Sequence, residues 1–420
     1  MSVSKPRGLP MAAASVIAML GALAPLHAAN AEPAPAFREL YAQVQTQAPR
    51  LAEAAANLRQ AQGLARQAAA RPNPTASVDV ENFSGKGPYS GTDLAETTFM
   101  VGQAIELGGK RAARIDAGRA SVDAARARLT QARADYGADL ALAYADAEAA
   151  EKRVNLAQEG LTLAQEDLRA ARALVEAGRE AELRGIQAEA AMTSAQAFLN
   201  AAQVERTRAF ARLTALSGSA APFTALSESL LTRTPSTAPT DVDALSVPSV
   251  VAASAERDAA ARRVRVEKTR AVPDVTASVG WRRFNGDDTS ALVAGVSLPI
   301  PIFDQNRGNI DASRAELTAA EARLSAARLD AEAELRTALF QVGAAQSRQT
   351  AAQQSEAAAD EAYRLTRIAY ESGKASLIEL VTARRGLAES RNQTLDAQLA
   401  RLGAEAGLAR LQGRVPFGAN

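Results

Sequence analysis

The side chains that most often carry out chemistry in proteins are nearly missing from this chain. It has no cysteine, a single histidine (His27), and only two methionines, Met100 and Met192, beyond residue 31. A hydrolytic triad, a thiol nucleophile or a His/Cys zinc site would need residues that are not present once His27 is removed. Carboxylates alone bind transition metals weakly. We therefore predict no catalytic residues, no cofactor, no metal ligands and no enzymatic activity.

His27 lies in a segment with the pattern of a secretory signal peptide. Residues 1–10 are basic at Lys5 and Arg7, residues 11–24 are apolar, and "ANA" ends at Ala31. The alternative is an uncleaved anchor, but 14 apolar residues are few for a membrane-spanning helix. Removal of residues 1–31 changes the formal net charge from +1 to −1, which does not favour nucleic-acid binding.

Two motifs that could suggest other chemistry are weak. The segment "LGGKR" at 107–111 lacks the spacing and the Ser or Thr of a phosphate-binding loop. The basic segment "RRVRVEKTR" at 262–270 is better explained as a solvated helix face. Function must therefore come from architecture rather than from a reactive site.

Four segments alternate apolar and polar residues, as strands do. They form two predicted hairpins, at 75–107 and 275–302, and the tetrapeptide "TASV" occurs near the start of each. We expect Ala76 and Val78 to lie on the same kind of face as Ala277 and Val279, with Thr and Ser side chains on the other face.

The hairpins lead into long helical segments. Residues 109–177 contain no proline, and as a helix this segment would extend about 100 Å. Large residues at 154, 161, 168 and 175 recur every seven positions, and small residues follow three positions after each. This spacing predicts closely packed coiled-coil helices. Further helices are predicted at 38–70, 180–217 and 247–270. After "PIFDQNRGN" a long helix is predicted to about 371, and after a break at "ESGK" a last helix to about 411.

The two halves of the chain follow one pattern. Thr75 and Thr276 are 201 residues apart, whereas Ile105 and Ile300, and Gly178 and Gly373, are 195 apart. A second hairpin loop shorter by six residues reconciles these landmarks, which indicates an internal repeat. We assign repeat 1 to 32–217, an equatorial linker to 218–245 and repeat 2 to 246–420.

Four strands of about ten residues are long enough to cross a bilayer at a tilt. An open four-stranded sheet would leave unpaired edge groups in lipid, so three chains would have to combine their strands into one 12-stranded barrel. A pair of soluble hairpins capping a helical stalk remains the alternative.

Several segments resemble the TolC-like outer-membrane factor family. They are "RPNPTASVDVENF", "VGQAIELGGKRAARIDAG", "PDVTASVGWRRF", "GVSLPIPIFDQNRGNI" and "YESGKASLIELVTARRGL". The segments "QAIELGGKR" and "LPIPIFDQNRG" look closest to the branch that serves cobalt–zinc–cadmium resistance–nodulation–division (RND) pumps.

The resemblance implies a mainly α-helical fold with transmembrane β-strands, located in the outer membrane of a Gram-negative bacterium with a large periplasmic part. A homotrimer would enclose a 12-stranded β-barrel in outer-membrane lipid and an α-barrel tunnel in the periplasm. Its helical tips would dock on a periplasmic adaptor that links the channel to an inner-membrane RND pump. Nucleic acid is not an expected partner.

The resemblance also implies roles for residues at the two helix reversals. The adaptor-docking residues are expected at Gly178, Leu183, Gly373, Lys374, Leu377 and Leu380. The residues that narrow the aperture are expected at Tyr370, Glu379 and Thr382. The match is incomplete, because Thr382 stands where an acidic residue is common and Ala375 where an arginine is common.

The substrate expected from the resemblance is a divalent heavy-metal cation, exported through a passive duct. A multidrug or type I secretion channel is the first alternative. The second, from another class, is a structural periplasmic coiled-coil or adaptor protein, although an adaptor would normally have one helical hairpin rather than two.

Overall fold

A computed structural model describes residues 33–45, 48–234 and 243–418. The predicted signal peptide lies outside the described residues, as does part of the predicted linker, 235–242. Within the described ranges, both halves of the chain follow the order helix, hairpin, long helix, helix.

The first half begins with two short helices, α1 (Phe37–Val44) and α2 (Pro49–Ala68). Pro49 occupies the first turn of α2, where its missing N–H costs no helical hydrogen bond. The hairpin follows as β1 (Thr75–Glu81) and β2 (Glu96–Ile105), and then α3 (Lys110–Glu176) and α4 (Glu182–Ser217).

The second half repeats this order. It contains α5 (Pro248–Arg270), β3 (Val275–Phe284), β4 (Thr289–Ser297), α6 (Arg307–Glu371) and α7 (Leu377–Leu411). The predicted strand 291–302 ends early, at Ser297. Pro299 and Pro301 follow immediately, and proline cannot donate to a strand ladder.

All four strands belong to one antiparallel sheet in the order β1-β2-β3-β4. The sheet therefore joins the two halves through β2 and β3, where Val101 pairs with Val279. The predicted combination of long helical hairpins with four β-strands is confirmed.

The long helix α3 is the centre of the helical part. It packs against α2 and α5 in the portion next to the sheet, and against α4 and α7 in the portion that leads to the reversals. The predicted coiled-coil positions Leu161, Ala164, Leu168 and Ala171 are buried. Small residues at alternate layers allow the neighbouring helices to approach closely.

One spacing differs from the prediction. The residues that precede α3 and α6, Gly109 and Asn306, both have positive φ and are 197 positions apart rather than 195. Relative to the repeat, α6 therefore begins two residues later than α3, and it is two residues shorter. The offsets of the strands (201 and 195) and of the two reversals (195) agree with a single six-residue deletion in the hairpin loop.

The main core lies about halfway along α3, where the helix meets α1 and the part of the predicted linker before residue 235. Phe37 packs edge-to-face on Tyr144, with ring centroids 6.2 Å apart. Burial raises the pKa of Tyr144 to about 12, so its hydroxyl stays protonated. That hydroxyl donates to the carbonyl oxygen of Glu228 in the linker.

A buried carboxylate fastens the linker to α3. Glu148 is 5% exposed, and its Oε2 accepts hydrogen bonds from the backbone N–H groups of Leu230 (2.7 Å) and Leu231 (3.1 Å). Its Oε1 accepts from the Ser229 hydroxyl and lies 3.2 Å from Lys152 Nζ. These hydrogen bonds and the ion pair offset the free-energy cost of removing the Glu148 carboxylate from water.

A buried guanidinium holds the same linker from the other side. Arg401 of α7 is fully buried, donates to the carbonyl oxygen of Arg233 at 3.0 Å and pairs with Glu405 at 2.8 Å. The linker is thus tied to both halves of the chain, through Tyr144 and Glu148 of α3 and through Arg401 of α7. In the part of the chain that the structure describes, no helix is both long and apolar enough to cross a membrane.

Candidate functional site

The first reversal of the helical part is built around Gly178. The N–H of Gly178 donates to the carbonyl of Val175, and that of Arg179 to the carbonyl of Leu174, both at 2.9 Å. These two bonds form the Schellman motif, which needs a left-handed residue at the position of Gly178. Its φ is +69°, a conformation that costs little for glycine and more for other residues.

The second reversal repeats this geometry around Gly373, whose φ is +72°. The N–H of Gly373 donates to Tyr370 at 2.9 Å, and that of Lys374 to Ala369 at 2.8 Å. A Cβ added at Gly178 or Gly373 would meet no atom within 4 Å. The requirement for glycine is therefore set by backbone conformation and not by crowding.

The two reversals differ in how the next helix begins. At the second, the Ser376 hydroxyl accepts from the Glu379 N–H, and Glu379 Oε2 accepts from the Ser376 N–H at 2.6 Å. This reciprocal pair is a capping box, which satisfies two backbone donors of the first turn of α7. At the first, Ala181 precedes α4 and provides no side-chain cap.

Glu379 was predicted as an aperture carboxylate, and the structure places it in the capping box. Bonds from the Ser376 backbone N–H and then from its hydroxyl lower the pKa of Glu379. The predicted aperture residue Thr382 donates its hydroxyl to the carbonyl of Ile378 at 2.8 Å. Tyr370 is half-buried in the last turn of α6.

The predicted docking residues lie at the two reversals. Leu183 is 61% exposed in the first turn of α4, Lys374 is exposed, and Leu380 is half-buried in α7. Leu377 is the first residue of α7, and its side chain lies outside the described part of the structure. The two reversals are on neighbouring helix pairs, because α3 packs against α7.

Ion pairs that the sequence analysis did not identify join the helices behind the reversals. Arg384 of α7 makes a bidentate contact with Asp167 of α3. Two helical turns further along α7, Arg391 lies 3.2 Å from Glu159 of α3 and 3.5 Å from Asp360 of α6. Arg384 and Arg391 are seven residues apart, and this heptad spacing of basic residues on α7 is the signal that could have revealed them.

The sheet has one apolar face and one polar face. Val78, Phe99, Trp281 and Leu292 stand opposite one another across the four strands, and all four are exposed, Leu292 to 85%. The rings of Phe99 and Trp281 stack with centroids 6.1 Å apart. The predicted pairs Ala76/Val78 and Ala277/Val279 belong to this face.

The polar face carries a charge cluster that the sequence analysis missed. Arg282 of β3 contacts Glu96 of β2 at 2.9 Å and Glu81 of β1 at 3.0 Å, and its Nε donates to the buried Thr98 hydroxyl at 2.9 Å. One guanidinium thus links three strands at the end of the sheet next to the hairpin loops. The alternation of polar residues along the strands is the sequence signal that could have predicted this cluster.

A groove of about 950 Å³ runs between α2, α3, α5 and α6, next to the sheet. Its lining combines alanines with charged residues, and most of the charges are paired, as in Arg128 with Glu256 and Arg263 with Glu316. Across residues 33–45, 48–234 and 243–418, no group of three or more His, Cys, Asp or Glu side chains is arranged to hold a metal ion.

Comparison with known proteins places this architecture in a family. The model of the outer membrane efflux protein family matches residues 40–219 and 244–414. The chain is 46% identical over 292 residues to the nickel and cobalt resistance protein CnrC of Cupriavidus metallidurans, a match covering 69% of each chain. It is 42% identical over 284 residues to the nickel-cobalt-cadmium resistance protein NccC of Alcaligenes xylosoxydans xylosoxydans, covering 68% of this chain and 65% of NccC.

The fold is similar to that of the CmeC outer membrane channel of Campylobacter jejuni. The TM-score is 0.77 at 16% identity, over 100% of this chain and 96% of CmeC. The fold is that of an outer-membrane channel protein. The chain belongs to the outer membrane efflux protein family, as the resemblance predicted.

Proposed function

We propose that this protein is the outer-membrane duct of a tripartite efflux system that exports divalent transition-metal cations such as Ni²⁺ and Co²⁺. The observation that carries the proposal is the 46% identity to a nickel and cobalt resistance protein, over 69% of both chains. The matching family model, which covers most of both halves, supports the same class of transport.

The duct would be a homotrimer. Within the described chain, β1 and β4 are the two edges of the sheet, and each has one side without a strand partner. Unpaired backbone groups cost several kcal/mol each in a bilayer, so the edges need neighbouring strands. Three copies supply twelve strands, with the apolar face of Val78, Phe99, Trp281 and Leu292 toward lipid.

We assign docking of the periplasmic adaptor, and through it the inner-membrane RND pump, to the two reversals. Leu183 and Ile378 are 195 positions apart, so they occupy equivalent sites in the first turns of α4 and α7. Both are apolar and largely exposed, at 61% and 65%. Exposed apolar side chains at repeated positions are suited to a protein partner.

We assign the choice of metal to the pump and the adaptor. The chain has no cysteine and its single histidine is His27, so soft-ligand coordination along the duct is not expected. Charged side chains of the described helices and of the sheet are mostly engaged in ion pairs, such as that of Arg282 with Glu96. The duct would act as a passive conduit.

The proposal is tested by deleting the gene and measuring growth inhibition by Ni²⁺, Co²⁺, Zn²⁺ and Cd²⁺, beside a set of lipophilic drugs. We expect tolerance to one or more metals to fall and to be restored by the intact gene, with drug tolerance unchanged. A fall in drug tolerance alone would favour the multidrug channel. Unchanged tolerance to every metal would contradict metal export.

Membrane fractionation separates the duct from a structural periplasmic protein. We expect recovery with the outer membrane and a trimer band that converts to monomer when the sample is heated. Recovery as a soluble monomer would contradict the duct. For docking, Leu183→Gln should lower metal tolerance without loss of the trimer, whereas Leu245→Gln, at an exposed site away from the reversals, should not.

A further inference from the structure

The contact between the two halves of this chain provides a template for the contact between two copies of it. Strands β2 and β3 pair across the halves over ten residues, from Glu96 opposite Phe284 to Ile105 opposite Val275. If the repeats continue around a ring, β4 must contact β1 of the next copy in the way that β2 contacts β3. This inference rests on the proposed trimer and adds its residue-level alignment.

The offsets between the halves can be taken from the sheet itself. Thr75 pairs with Gly102 in the first hairpin, and Thr276 pairs with Ser297 in the second. The step from β1 to β3 is therefore 201 residues and that from β2 to β4 is 195. Adding 195 to a residue number in β2 gives the equivalent residue of β4, and subtracting 201 from a residue number in β3 gives the equivalent residue of β1. Each residue pair between β2 and β3 thus predicts one pair between β4 and the β1 strand of a neighbouring copy.

We infer that Val296 of one copy lies directly opposite Val78 of the next, as Val101 lies opposite Val279 within the chain. The same conversion gives further pairs between β4 and the neighbouring β1: Ala294 with Val80, Gly295 with Asp79, and Ser297 with Ser77.

The faces of the two strands agree with this alignment. Val78 and Val296 both belong to the apolar face, are 59% and 78% exposed, and would cover each other. Ser77 and Ser297 both belong to the polar face. A shift of one residue would place each apolar side chain opposite a polar one, because side chains alternate with a period of two.

The helices support the same partner. Val204 of α4 and Phe340 of α6 are 69% and 76% exposed. At the equivalent positions, 195 residues away, Leu399 packs against the main core and Ala145 is fully buried. The exposed residues thus occupy positions whose equivalents are covered within the chain, and a second copy would cover them.

The alignment can be tested by disulfide formation, because the chain has no cysteine of its own. The variant Val78→Cys with Val296→Cys places one thiol on each edge of the sheet. Within a single chain these edges are about 14 Å apart, three strand spacings, which is too far for a disulfide. Ser77→Cys with Ser297→Cys tests the other face, so that both kinds of antiparallel pair are sampled.

Two controls complete the design. Val101→Cys with Val279→Cys should form a disulfide within one chain and no covalent oligomer. Val78→Cys with Leu298→Cys is shifted by two residues, where Cβ atoms are about 7–8 Å apart and a disulfide is not expected.

We expect oxidation of the aligned variants in outer-membrane preparations to give covalent dimers and trimers on non-reducing, heated gels, at least fivefold more than the shifted variant. Trimer assembly of every variant is measured separately on unheated gels. Intact trimers that crosslink only through the shifted pair, or through none, would overturn the alignment while leaving the proposed duct in place. A monomeric cysteine-free parent would overturn the trimer as well.

Discussion

Glu148 offers the sharpest test of how the helical part is held together. Its carboxylate accepts the backbone N–H groups of Leu230 and Leu231 in an environment where only 5% of the residue is exposed. Replacing Glu148 by alanine would leave both amides without their acceptor. An unsatisfied buried donor costs about 1–3 kcal/mol, so we expect the linker to be destabilised by about 3 kcal/mol locally.

Glutamine at the same position should do much less. Its carbonyl oxygen can occupy the place of Oε2 and accept from both amides. Its amide nitrogen replaces Oε1, where it can donate to the Ser229 hydroxyl but offers Lys152 no acceptor. The charge assistance and the partly exposed Lys152 ion pair are lost, together about 1 kcal/mol. Since about 1.4 kcal/mol corresponds to a factor of ten in an equilibrium constant, alanine should raise the equilibrium constant for local opening roughly a hundredfold and glutamine fivefold to tenfold.

Hydrogen exchange followed by mass spectrometry on the purified protein measures this opening directly, in peptides that cover residues 225–234. The control is Glu166→Gln, which removes an exposed carboxylate from the same helix. Equal protection in the alanine variant and the parent would refute the reasoning, since the bonds to Glu148 would then contribute nothing to linker stability.

Three further predictions concern the reversals. Gly373→Ala should destabilise the second reversal by about 1 kcal/mol, because φ is +72° there. Gly386→Ala, inside α7, is the control and should not destabilise it. The rate of tryptic cleavage near residue 374 measures the difference between the two variants. Hydrogen bonds from Ser376 lower the pKa of Glu379. The capping box should therefore be complete above the ordinary glutamate pKa and be lost as the pH falls through the lowered pKa. Hydrogen exchange in the first turn of α7, measured as a function of pH, tests this. Arg391→Ala should lower thermal stability at low salt by at most about 1 kcal/mol per exposed pair, and less at high salt.

Each of these has a contradictory result. Equal cleavage of the two glycine variants would mean that left-handed geometry does not limit the reversal. A pH step that persists in Ser376→Ala would assign the titration to another group. A stability loss for Arg391→Ala that does not depend on salt would indicate lost packing rather than lost ion pairs.

Much of this fold could be predicted because local patterns determine it. Three features are visible in short stretches of sequence: the alternation in the strands, the proline-free helical segments, and the glycines at 178 and 373. Each follows from a local requirement of the backbone, so it can be predicted without knowledge of distant contacts. The capping box could also have been predicted, since Ser376 and Glu379 have the S-x-x-E spacing that marks helix starts. The aperture role that the resemblance implies for Glu379 stays a prediction beside this capping role.

Other features required knowledge of contacts between distant residues. Pairing of β2 with β3 joins segments about 180 residues apart, and neither strand carries a local signal for its partner. Glu148 and Arg401 each appear in the sequence as one more charge on an alanine-rich helix. Their burial depends on the linker, whose Pro-, Ser- and Thr-rich composition carries no signal for this packing.

The two halves kept the same backbone geometry while their side-chain contacts diverged. Both reversals use the Schellman geometry, and both hairpins have the same strand alignment. The contact of α3 with α7 has the ion pair of Asp167 with Arg384, but the equivalent positions for a contact between copies are Ala362 and Glu189. Contacts within a chain and between chains would therefore differ in charge, so salt should weaken the first more than the second.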